Sequence, residues 1–213
     1  MSSAYGCASI THLATTLISV QGTFSQSENS SWFAIDYWAI AIRVLQQDSL
    51  ITSAAVVDCD VHQGNGTASI FTADPDVLTF SMHGANNYPL FKPTSTIDIE
   101  LPDATEDDDY LHALETNLHN VFEHKPDIVF YLAGADPFIG DRLGRLSVSI
   151  KGLRARDHIV LAACKENQTP VVTVMSGGYG EEVDQTIEIH CNTIRSACSL
   201  FPGTANTAST HTT

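Results

Sequence analysis

Residues 54–66 read AAVVDCDVHQGNG: an apolar run, two aspartates and a histidine at every second position, then a glycine-flanked turn. Four small or apolar residues in a row suit a strand covered on both faces, as in a parallel sheet. In an extended backbone residues i, i+2 and i+4 share one side, so Asp58, Asp60 and His62 are expected to face a common space at the strand's end. Two carboxylates facing each other repel unless a cation lies between them. The pattern therefore points either to a metal site or to hydrogen-bonded capping of the strand end.

Working outward, helix and strand signals alternate. Thr67 to Phe71 reads as a short helix and Val77 to Phe80 as another strand. In TIDIEL (96–101), Ile97, Ile99 and Leu101 alternate with Asp98 and Glu100, which suggests a strand wet on one face at the sheet's edge. The acidic residues 106–109 open a predicted helix carrying Leu111, Leu114, Leu118, Val121 and Phe122, where negative charge suits the N-terminus. His112, His119 and His124 fall on or beside that helix, in solvent-facing or capping positions. IVFYL (128–132) and VVTV (171–174) read as buried parallel strands, with one helix over about 149–166 between them and a last one over about 183–200.

Upstream, Ile10, Leu13, Ala14, Leu17 and Ile18 follow a helical rhythm that Gly22 stops, and QSENSS (26–31) reads as a loop. A further helix is predicted over about 36–47, with Ile35, Trp38, Ala39, Ile42 and Leu45 inward. The fold class expected is α/β: a doubly wound, mostly parallel sheet with helices on both faces. Residues 1–200 form a single predicted domain, and 201–213 a polar tail expected to be disordered.

With 10 Lys plus Arg against 25 Asp plus Glu, the formal charge is −15. That balance argues against direct nucleic-acid binding, which needs cationic surface, and would draw in cationic partners. Cys7, Cys59, Cys164, Cys191 and Cys198 are scattered with no C-x-x-C spacing, so neither a disulfide framework nor a thiolate metal site is indicated, and a cytoplasmic location is expected. No run approaches the roughly 18 apolar residues of a membrane span, and no signal-peptide pattern opens the chain.

Ligands of open α/β sheets bind beyond the carboxyl ends of strands. Four such segments carry unusual residues: DCDVHQGNG (58–66), SMHG (81–84), AGADPFIG (133–140) and SGGYG (176–180). Asp136 at the end of a neighbouring strand would add a carboxylate to Asp60 and His62, and imidazole favours zinc or another transition metal over calcium or magnesium. Tyr179, flanked by glycines, either packs inward or aims its hydroxyl at a polarised carbonyl. Gly177 and Gly178 beside it would let a substrate approach the backbone.

Taken together, DCDVHQGNG, FSMHG, AGADPFIGDRLG and SGGY resemble the zinc-dependent histone deacetylase family, including its bacterial members and the acetoin-utilisation deacetylases, in order over about residues 31–197. The resemblance implies the arginase-deacetylase fold and hydrolysis of an acetylated amine or acetyl-lysine. It implies Zn2+ on Asp60, His62 and Asp136, with Tyr179 donating to the oxyanion. It implies a monovalent-cation (K+) site at Asp58 and Ser81. Gly178, beside Tyr179, and His83, after Ser81 and Met82 at the end of another strand, are expected to line the substrate pocket by position.

That family also uses adjacent histidines in a Gly-Gly-x-His-His-Ala stretch for proton transfer. None of the nine histidines here adjoins another; the segment before Trp32 offers QGTFSQSENSS, and SWFAIDY stands where the family has G-F-C-x-F-N. The one histidine upstream, His12, falls on the predicted first helix at a surface-type position. The chain is expected to lack the family's first strands. Two readings follow: a deacetylase with weakened proton transfer, or an inactive remnant that binds metal or a partner. The manganese ureohydrolase branch of the fold fits less well, because its Asp-x-His-x-Asp pattern is broken by Gln63 and Gly64 after His62.

Overall fold

A computed structural model describes residues 37–202 together with the short segments 16–19, 25–26 and 32–33. In chain order the elements are β1 (Thr16–Ser19), β2 (Ser25–Gln26), β3 (Trp32–Phe33), α1 (Tyr37–Gln47), β4 (Ala54–Asp58), α2 (Asn65–Phe71), β5 (Val77–Gly84), β6 (Ile97–Leu101), α3 (Asp107–Glu123), β7 (Ile128–Gly134), α4 (Ile150–Glu166), β8 (Val171–Ser176) and α5 (Val183–Leu200). Six strands form one sheet in the order β1-β8-β7-β4-β5-β6, and every neighbouring pair is parallel. β2 and β3 make a separate two-residue antiparallel pair.

The unbroken apolar run of β4 is explained by its place. It pairs with β5 on one side and β7 on the other, and all five of its residues are buried. Alternate side chains enter two different cores. Ala54 and Val56 pack with Ala39 and Ile42 of α1 and Phe71 of α2. Ala55 and Val57 pack with Leu114 and Leu118 of α3, Leu153 and Leu161 of α4, and Ile189 of α5. Helices thus cover both faces of a parallel sheet, as expected.

β6 lies at the sheet edge with its polar residues outward, as the alternation in TIDIEL predicts. α3 starts at Asp107, and its side chain also accepts from the amide (2.7 Å) and hydroxyl (2.6 Å) of Ser149, the N-cap of α4, so one carboxylate ties two helix starts together. His112 and His119 face solvent and His124 caps α3.

The helix expected over 10–18 is corrected at its end. Thr16–Ser19 is a strand, parallel to β8 with Ile18 opposite Val174. The short run TLIS carries no signal of its own that separates strand from helix, and the open edge of β8 decides it. Residues 10–15, Ile35 and His12 lie outside the described residues. Gln26, placed by sequence in a loop, pairs with Trp32. β5 is also longer than expected: SMHG lies inside the strand, not after it. Phe201, where the tail was expected to begin, is buried against the core. No described helix is long and apolar enough to cross a membrane.

Candidate metal centre

The chain winds from β4 through α2 to β5 on one side, then returns through α3 to β7 on the other side of β4. The carboxyl ends of β4 and β7 therefore meet at the point where strand order reverses, the usual ligand position of doubly wound sheets. DCDVH leaves the end of β4, and AD (135–136) leaves the end of β7.

Beyond Asp58 the backbone bends instead of continuing extended. The cause is local. Asp58 Oδ1 accepts from the Asp60 amide at 3.0 Å, and Asp60 Oδ1 accepts from the His62 amide at 2.9 Å, so each aspartate caps the amide two residues on. Asp60 and His62 still converge, while Asp58 sits buried behind them. Cys59 turns the other way into the core, where burial pushes its thiol up to about 12.

Asp60, His62 and Asp136 each offer one ligand atom, and these atoms lie within 4.8 Å of one another. His62 Nδ1 is 3.0 Å from Asp60 Oδ1 and 3.3 Å from Asp136 Oδ2. Asp60 Oδ2 is fixed by the Ser176 hydroxyl at 2.7 Å, and Asp136 Oδ1 by the Val61 amide at 2.9 Å. Asp136 is fully buried, and its Oδ2 has no hydrogen-bond partner. An unsatisfied buried carboxylate oxygen is costly, and here it faces the other two ligand atoms.

The electrostatics make the same demand. Burial alone would favour neutral His62, yet the close approach of the Asp136 and Asp60 carboxylates outweighs it and pushes the imidazole up to about 10. Burial, followed by the charge on Asp60, pushes the Asp136 carboxyl up to about 7. Burial also works against the Asp60 charge, but His62 holds its carboxyl below the ordinary value. Positive charge is wanted between these carboxylates. Two carboxylate oxygens and one imidazole nitrogen, with the orphaned Oδ2 among them, fit zinc or a similar transition ion with a position left for water.

The SGGYG segment wraps this cluster. Gly177 has φ +58°, and a Cβ there would run into the Asp136 carboxylate, so only glycine admits the approach. Gly178 follows at φ +108°. Tyr179 is then pinned by its backbone: its amide donates to Asp141 Oδ2 at 2.6 Å and its carbonyl accepts from Arg142 Nε at 3.1 Å. Its side chain remains 39% exposed. Burial and then the charges of Asp60, Asp136 and Asp141 raise its phenol, which stays a proton donor.

Asp58 and Ser81 are register partners on β4 and β5. Ser81 Oγ lies 2.9 Å from Nδ1 of His83, which is fully buried. Burial holds the His83 imidazole below its ordinary value, and its Nε2 has no hydrogen-bond partner, with Glu100 Oε1 4.0 Å away. Ser176, Asp141 and His190 carried no assigned role in the sequence reading. His190 on α5 contacts the backbone of Gly177 from behind the loop. A strand-ending serine, a loop aspartate and a helix histidine have no distinguishing spacing. Only the fold brings them to the site. Among the described residues all four cysteines are free.

The histone deacetylase domain family matches residues 29–194. An uncharacterised protein of Picosynechococcus sp. is 43% identical over 164 residues, covering 76% of this chain and 55% of that protein. Histone deacetylase 2 of Arabidopsis thaliana is 34% identical over 133 residues, covering 61% of this chain and 34% of the relative. Among solved structures, the acetylpolyamine aminohydrolase of Burkholderia pseudomallei superposes with a TM-score of 0.69 at 23% identity, over 78% of this chain and 50% of that one. The chain thus spans about half or less of the length of these relatives. With its motifs in register across the matched region and the fold of its structural neighbours, the chain belongs to the histone deacetylase family and has an arginase-deacetylase fold.

Proposed function

We propose that the protein hydrolyses the amide of an acetylated amine, either acetyl-lysine or an acetylated small amine, at a zinc site formed by Asp60, His62 and Asp136. The observation that carries this reading is the convergence of those three ligand atoms beneath the glycine loop that presents Tyr179. A zinc ion bound there supplies Lewis acidity that polarises the acetyl carbonyl and makes water more acidic. Tyr179 would donate a hydrogen bond to the oxygen as it gains negative charge, with the backbone of Gly178 bordering the substrate. Asp58, which accepts from the Asp60 amide, and its register partner Ser81 would hold a K+ ion, with His83 against Ser81.

Water adds to the carbonyl, acetate leaves, and the amine takes a proton. That last transfer is weakly provided for. The sequence has no His-His pair, and among the described residues His62 is the one histidine in the cluster. General acid–base catalysis is typically worth about 10²- to 10⁴-fold, so slow turnover is expected. The same absence favours a second reading, a metal-binding remnant without activity. Acetate release from acetyl-lysine peptides and acetylpolyamines, measured on zinc-loaded protein, separates the two. Turnover that Asp136→Ala abolishes supports the enzyme; zinc retention without turnover supports the remnant.

A further inference from the structure

We propose that the buried Arg156–Asp157 pair on α4 is a positioning device for the metal centre, clamping the backbone just ahead of Asp60 and of Asp136. Both side chains are fully buried. Arg156 Nη1 donates to the Gly134 carbonyl at 2.6 Å and to the Cys59 carbonyl at 3.3 Å. Cys59 directly precedes Asp60, and Gly134 lies two residues before Asp136. One nitrogen therefore spans the ends of β4 and β7 just after their last shared bond, from the Cys59 amide to the Leu132 carbonyl. The two backbones nearly touch there: a Cβ on Gly134 would stand 2.6 Å from Asp60 Cα.

The guanidinium is itself held. Its Nε and Nη2 donate to Asp157 Oδ1 at 3.0 and 2.8 Å. Tyr131 of β7 donates to the same oxygen at 2.6 Å, and Thr193 of α5 to Asp157 Oδ2, also at 2.6 Å. A planar fork with five donors can grip a carboxylate and two carbonyls at once, which an ammonium on a flexible stem does poorly. Buried ion pairs commonly add little stability over apolar residues of similar volume, so stability alone gives small reason to keep one here. The geometry gives another: the carbonyls it holds set the separation of two metal ligands.

This inference rests on the metal-binding reading, and zinc affinity tests both without requiring turnover. The zinc dissociation constant is measured by chelator competition, with the cobalt(II) absorption spectrum reporting coordination geometry. The double variant Arg156→Met/Asp157→Leu removes the clamp without leaving a buried charge. Arg156→Lys keeps the charge but not the fork, and is decisive if the double variant does not fold. Leu161→Ala, in the same core on the same helix, is the control for lost stability. Zinc should bind the folded clamp variants about ten- to a hundredfold more weakly, as for other partners just behind metal ligands, with an altered cobalt spectrum. Leu161→Ala should lower the melting temperature and leave zinc affinity unchanged. Unchanged affinity and spectrum in a folded clamp variant would overturn the proposal, and so would equal weakening by Leu161→Ala. Failure of the unsubstituted protein to bind zinc would instead refute the metal centre itself.

Discussion

At Gly177 a single methyl group would reach the centre of the site. The residue combines a left-handed backbone with a path pressed against the Asp136 carboxylate, so Gly177→Ala meets both backbone strain and a collision. We expect it to cost about 1–3 kcal/mol in thermal or denaturant unfolding. It should also weaken zinc binding measurably; unchanged affinity would mean that Asp136 moves aside freely. Tyr179 makes the opposite kind of prediction. Its hydroxyl is not a ligand in the proposed site, so Tyr179→Phe should leave zinc affinity intact. Acetate release should fall about 10²- to 10³-fold, the usual loss on removing one donor to an oxyanion. The grouping of Asp60, His62 and Asp136 was legible in the sequence because each lies within a few residues of a strand end, and strand ends converge in this class of sheet. Ser176, which fixes Asp60, was not: a lone serine closing VVTVMS gives no sign of its partner 116 residues away.

Among the elements, β4, β7 and β8 announce themselves through apolar runs too short for helices, and α3 through its acidic first turn. β1 does not, because a four-residue strand takes its state from the neighbour it pairs with. α5 shows how a legible element can hold an illegible role. Its length and pattern predict a helix, yet His190 on it reaches the backbone of Gly177 and has a buried Nδ1 without a hydrogen-bond partner. Burial holds that imidazole below its ordinary value of 6.5, against the hydrogen bond to Gly177 that works to raise it. The unfolded chain therefore binds a proton at a pH where the folded chain still does not, and stability falls as pH drops below about 6.5. Melting temperatures across pH 7.5 to 5 should decline more steeply for the unsubstituted protein than for His190→Gln. Parallel slopes would remove His190 from the acid response.

For the whole molecule, the order of alternating signals was enough to predict a doubly wound sheet, since parallel strands require crossovers and right-handed crossovers leave few arrangements. What no local pattern conveys is how three separate segments come to share one clamp. Arg156 and Asp157 are adjacent residues on α4 with no spacing that marks them, and only the fold buries them beneath β4 and β7. The charge of −15 acts at this same scale. Exposed Glu181, Glu182 and Asp184 follow Tyr179 after Gly180, ahead of and in the first turn of α5, so part of that charge lies close in sequence to the proposed site. Exposed charges more than a Debye length away, about 10 Å at 0.1 M salt, are largely screened. A polycationic substrate such as an acetylpolyamine should therefore lose apparent affinity as ionic strength rises from 0.02 to 0.3 M, by about tenfold on the scale of electrostatic steering. A neutral acetyl-lysine peptide should change little over the same range, and neutralising Glu181 and Glu182 to glutamine should flatten the polyamine curve toward it. Equal salt dependence for both substrates would mean that the acidic surface keeps the protein soluble without guiding what reaches the zinc site.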